Sequence, residues 1–124
     1  MPLGLMVMKW EEKTALEKKA QYPENKELFI TGKTFMHLLN LHGFSKEAGM
    51  TTLNVKDINI VTYYSGVELN YYVILVLNLL ENAEDYEEIF EKGAIEILEH
   101  INNDEYKKML PPLFEKLSLK STNI

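Results

Sequence analysis

Apolar and polar positions alternate most regularly in the second half of the chain. Ile58, Ile60, Thr62 and Tyr64 interleave with Asn59, Val61 and Tyr63, the two-residue period of a half-buried strand, and a turn is expected at Ser65-Gly66. The run from Leu69 to Leu80 continues as a second strand. Leu69, Tyr71, Val73, Leu75, Leu77 and Leu79 fall on one face, and Asn70, Tyr72, Ile74, Val76 and Asn78 on the other. Both faces are apolar in the middle, so this strand is either central and covered twice by its own chain or covered by a partner.

Beyond Leu80 the period changes. Tyr86, Ile89, Phe90, Gly93, Ala94, Ile97, Leu98 and Ile101 recur at three- and four-residue steps, the stripe of an amphipathic helix capped by Asn82 with Glu84 and Asp85 in its first turn. Gly93 on the buried stripe implies a close approach of this helix to the sheet. A last helix starts at Asp104 and carries Tyr106, Met109, Leu110, Leu113, Phe114 and Leu117, with a break expected near Leu110 because Pro111-Pro112 follows. Residues 120–124 read as a disordered tail.

The first half is less periodic. Residues 1–8 are either a first strand or disordered. From Trp10 to Gln21 the charges match a helix dipole, with Glu11 and Glu12 early and Lys18 and Lys19 late, so a peripheral helix is expected, stopped by Tyr22-Pro23. Glu27 to Thr31 reads as a short strand closed by Gly32. Thr34 then caps a helix from Phe35 to His42, ended by Gly43 with Phe44 as its hydrophobic contact, and Ser45 to Gly49 forms a turn or one helical turn. The expected order is strand, helix, strand, helix, strand, strand, helix, helix: a single α/β (α+β) domain over residues 1–124 with a largely antiparallel sheet.

Composition narrows the function. A chain of 124 residues holds one hydrophobic core. The net charge is −6, and the 13 basic residues are all lysines, which disfavours phosphate-backbone binding and base reading, so no nucleic-acid partner is expected. Without cysteine there are no disulfides, thiolate metal sites or cysteine nucleophiles, and a cytoplasmic location is expected. No stretch approaches the ~20 apolar residues needed to span a bilayer.

Candidate chemistry is sparse. Gly32-Lys33-Thr34 matches the end of a phosphate-binding loop, but Glu27 stands where that loop needs glycine and Phe29 and Ile30 are too bulky for the cradle. His37 and His42 are five residues apart on one helix and point about 140° apart, away from a shared metal. The acids Glu81, Glu84, Asp85, Glu87, Glu88 and Glu91 form a solvated helical face or a dock for a basic partner. No catalytic residue, cofactor site or metal set is expected. The tyrosines Tyr63, Tyr64, Tyr71 and Tyr72 crowd one hairpin, and Tyr63 and Tyr72, with Ile74, Val76, Glu84, Glu87, Glu88 and Glu91, are the candidate partner-binding residues.

From Ile58 to Ile101, a strand, the turn Tyr64-Ser65-Gly66, the strand Asn70-Tyr71-Tyr72-Val73-Ile74-Leu75-Val76-Leu77 and a long amphipathic helix together resemble the second half of roadblock and longin domains, which are profilin-like modules. The resemblance covers about a third of the chain and rests on element order and hydrophobic pattern. It implies a five-stranded antiparallel sheet flanked by helices, no catalytic residues, dimer formation, and partnership with small Ras-like GTPases or trafficking complexes. A longin domain opens with a strand hairpin and a long helix, whereas the present reading has a charged helix in that place. Two other functions follow from the residues: a small ligand-binding or catalytic domain with a pocket near His37 or His42, and, last, a winged-helix DNA binder.

Overall fold

The computed structural model describes residues 2–11, 15–28, 31–42, 47–55 and 57–122. Five strands, β1 (Gly4–Glu11), β2 (Ala15–Tyr22), β3 (Gly49–Val55), β4 (Ile58–Tyr64) and β5 (Tyr71–Val76), form one antiparallel sheet in the order β2-β1-β5-β4-β3. Helix α1 (Gly32–Leu41) lies between β2 and β3 in the chain, and α2 (Glu87–Glu99) and α3 (Glu105–Thr122) follow β5. This is the mixed α/β class expected.

The alternation read in β5 sets the layers. Val73 and Leu75 pair in register with Val7 and Leu5 of β1 and bury one face of the sheet against Phe90, Ala94 and Ile97 of α2 and Leu110, Phe114 and Leu117 of α3. Tyr72 and Ile74 point the other way and pack with Met6, Met8, Ile60 and Tyr64 beneath Leu38 of α1. Ile74 has no exposed surface. Both covers therefore come from this chain, and the alternative of a partner covering β5 falls away. The strand is also shorter than the expected 69–80 run, because the backbone leaves the sheet after Val76 and turns at 79–80.

The helix expected over 10–21 is instead the end of β1 followed by β2. A helix there would strip β1 of its outer ladder, and that demand overrides local helix signals. Pairing of Leu5 with Tyr22 and Val7 with Ala20 places Ala20 and Tyr22 on the α3 face, where the Tyr22 ring meets Phe114 edge-on at 5.6 Å. Glu17, Lys18 and Lys19 then dress an edge strand, not a helix. The short strand expected at 27–31 is absent at Glu27 and Leu28, and Phe29 and Ile30 lie outside the described residues. Leu28 packs as an anchor over Gly4, where a Cβ would overlap its side chain and come within 3.0 Å of the Tyr22 carbonyl. Strand β3, in contrast, was not expected from the sequence.

Helix α1 begins at Gly32, three residues before the expected start at Phe35. Thr31, not Thr34, accepts the capping bond, from the Thr34 N–H at 3.1 Å. Gly43 and Phe44 lie outside the described residues. Asn82 caps a short 3-10 turn, Ala83–Asp85, that leads into α2. Helix α3 runs through Pro111 and Pro112 without the expected break and continues to Thr122, into the expected tail. Two prolines remove the N–H donors that would reach the Lys107 and Lys108 carbonyls, a cost of about 3 kcal/mol each in an unsupported helix. Buried side chains on both sides of the pair, Tyr106 and Leu110 before and Leu113, Phe114 and Leu117 after, hold the axis.

Gly93 does mark a close approach, but to α3 and not to the sheet. A Cβ there would overlap the Leu113 methyls and lie 3.0 Å from Leu113 Cγ. We expect Gly93→Val to lower stability by about 2 kcal/mol in urea denaturation through overpacking, and Leu113→Ala to absorb much of that cost in a double-mutant cycle.

Candidate functional site

A densely hydrogen-bonded irregular segment follows β5. The Leu77 N–H donates to the Asn59 carbonyl at 2.8 Å, and the Asn59 side-chain amide donates to the carbonyls of Asn78 (2.9 Å) and Glu81 (2.7 Å). The Asn78 N–H donates to Glu81 Oε1 at 2.9 Å, and the Leu80 N–H to Asn78 Oδ1 at 3.1 Å. The Tyr86 hydroxyl donates to Glu81 Oε2. Burial alone would raise the Glu81 pKa, but the bonds from Tyr86 and the Asn78 N–H outweigh it and hold the carboxyl below its ordinary value. This clamp presents Leu79 at 49% and Leu80 at 96% exposure.

Beside the turn lies an open groove of about 1170 Å³ between α1 and the ends of β4 and β5. Leu28, Ile58, Ile60, Val76 and Leu77 give it apolar walls. Thr31, the N-cap of α1, and Lys33, Thr34 and His37 within the helix line it, with Glu27 and Asp57 also facing it. Asn59 borders the groove, yet it alternates with Ile58 and Ile60 along β4 and so belongs to the opposite sheet face; its Oδ1 is buried without a hydrogen bond among the described residues. Of the two histidines of α1 and its C-cap, His37 lines the groove and His42 does not.

His42 turns elsewhere. Its Nε2 lies 2.9 Å from Thr62 Oγ1, and its ring sits 5.8 Å from both Tyr64 and Tyr72, which stack on each other at 4.7 Å. The Tyr64 hydroxyl donates to Asn70 Oδ1 at 2.8 Å, and Asn70 itself adopts a left-handed φ of 58° at the turn into β5. Burial lowers the His42 pKa and raises those of Tyr64 and Tyr72, so the cluster is held neutral.

The partner-binding residues expected from sequence are scattered. Tyr72 and Ile74 are buried under α1 and offer no surface. Tyr63 is half-buried against the α2/α3 cluster on the other face of the sheet, so Tyr63 and Tyr72 do not form one patch. Val76 alone of this set lines the groove. Glu84, Glu88 and Glu91 are exposed and Glu87 is half-buried, all on the segment that follows the leucine turn. Leu79 and Leu80 were missed because they read as the end of a strand; the flanking Asn78 and Asn82 were the turn signal. Among the described residues no three His, Asp or Glu side chains converge on a metal position, and no helix is long and apolar enough to cross a membrane.

We expect the His42 environment to appear as acid sensitivity. Above about pH 6.5 the imidazole is neutral in both folded and unfolded chains. Below it the unfolded chain takes up the proton first, because the folded pKa is depressed, and stability falls until the folded pKa is passed. Urea midpoints at pH 7.5 and 5.5 should differ less in His42→Gln than in the parent. Compared with models of known families, with curated proteins and with solved structures, the chain matches none.

Proposed function

We propose that this chain is a non-enzymatic protein-interaction module of the roadblock/longin kind, pairing along the β3 edge of its sheet with a second copy or with a small Ras-like GTPase. The element order supports this reading. A β1–β2 hairpin, then a helix, then the meander β3–β4–β5, then helices follows the order that the resemblance implies, including the opening hairpin that the sequence had placed in a helix.

The carrying observation is the unequal treatment of the two sheet edges. Strand β2 holds Glu17, Lys18 and Lys19, and its register with β1 shifts at Val7/Met8, both devices that blunt an edge. Strand β3 reads Gly-Met-Thr-Thr-Leu-Asn-Val, seven residues with no charge and no proline, paired with β4 along its whole length. An edge of that composition is a template for an added strand. Pairing there would leave both covered faces of β5 intact.

Sedimentation equilibrium tests the reading. The parent should show a concentration-dependent dimer, or a complex with an added Ras-like GTPase in one nucleotide state, and Thr52→Lys combined with Asn54→Lys should abolish it with little change in melting temperature. A parent that stays monomeric throughout and binds no GTPase in either nucleotide state would overturn it.

A further inference from the structure

The leucine turn and the groove beside α1 form one surface, and no lining residue of the groove belongs to β3 among the described residues. The turn places a nearly fully exposed leucine on backbone that Asn59, Asn78 and Glu81 hold through side-chain hydrogen bonds. Rigid presentation lowers the entropic cost of using that leucine as an anchor. The groove, at about 1170 Å³ and open to solvent, lies above the ~300–1,000 Å³ range of small-molecule pockets and suits a polypeptide segment better.

Charge selects the occupant. Glu27 and Asp57 face the groove against Lys33. Glu84 and Asp85 follow the leucine turn, whereas Glu87, Glu88 and Glu91 belong to α2, which packs on the sheet face opposite α1. Among the described residues no ion pair engages Glu27, Asp57, Glu84 or Asp85. A second copy would set these acids against themselves, and an anionic lipid surface would be repelled.

We propose that this surface docks a basic amphipathic segment of a partner protein, whose apolar side chains enter the groove beside Leu79 and Leu80 and whose lysines or arginines face the acids. The inference rests on the interaction-module reading but not on the β3 edge.

The probe is a synthetic peptide with leucine and lysine at helical spacing, compared with a leucine/glutamate and a serine/lysine counterpart by fluorescence anisotropy. The leucine/lysine peptide should bind at least about tenfold more tightly than either counterpart, and amide shifts should map to His37, Val76, Leu79 and Leu80. Leu80→Asp should weaken binding by at least about tenfold while leaving the melting temperature and sedimentation behaviour unchanged. Equal binding of the serine/lysine or leucine/glutamate peptide would overturn the proposal, as would indifference to both Leu79→Asp and Leu80→Asp. Association with phosphatidylserine vesicles, abolished by Leu80→Asp, in place of peptide binding would assign the surface to membranes instead. A parent dimer unaffected by Leu80→Asp, alongside failed peptide binding, would leave the β3-edge reading standing and remove this one alone.

Discussion

The structure depends on the double pairing of β5. The hairpin β1–β2 and the hairpin β3–β4 touch no common strand except β5, which pairs with β1 through Gly4–Lys9 and with β4 through Ile60–Tyr64. Six residues thus join two halves of a sheet that are far apart in the chain. Because β5 is central, its side chains must be apolar in both directions. Val73 and Leu75 serve the α2/α3 layer, and Tyr72 and Ile74 serve the α1 layer.

The two layers differ in kind. The α2/α3 side is aliphatic and aromatic apart from Asn59 near the start of β4. The α1 side includes Thr62, with no exposed surface, and the His42, Tyr64 and Tyr72 rings around it. Hydrogen bonds to Thr62 and Asn70 satisfy His42 Nε2 and the Tyr64 hydroxyl, and each lost partner would leave a buried group whose desolvation costs about 1–3 kcal/mol. The groove opens on this same side, past the N-terminal turn of α1.

What was legible in the sequence was whatever a local period could carry. The faces of β5, the existence of β4 and the stripe of α2 follow from spacing alone. Strand β2 was hidden because its charges obey helix-dipole rules and an edge-strand rule equally well; only its ladder to β1 decides. Strand β3 lacks a clear alternation, since Thr51 and Thr52 are neither apolar nor charged. Of the site, Val76 was named and His37 was one of two histidines considered, but the groove exists only because Leu28 and the first turns of α1 come together with the ends of β4 and β5. Leu79 and Leu80 needed the turn, and the turn needed Asn59, about twenty residues away.

The paired prolines of α3 bear on the order in which the molecule can be built. A segment that lacks two of its own backbone donors gains little from coiling alone, so its helical form must be stabilised by docking onto Val73, Leu75 and the flank of α2. During synthesis from N to C, the five strands and α2 emerge before α3, and the β1–β2 part of one apolar side of the sheet stays bare until α3 docks. That interval is when nascent molecules would be most prone to stick to one another, and the rate of α3 docking sets how long it lasts.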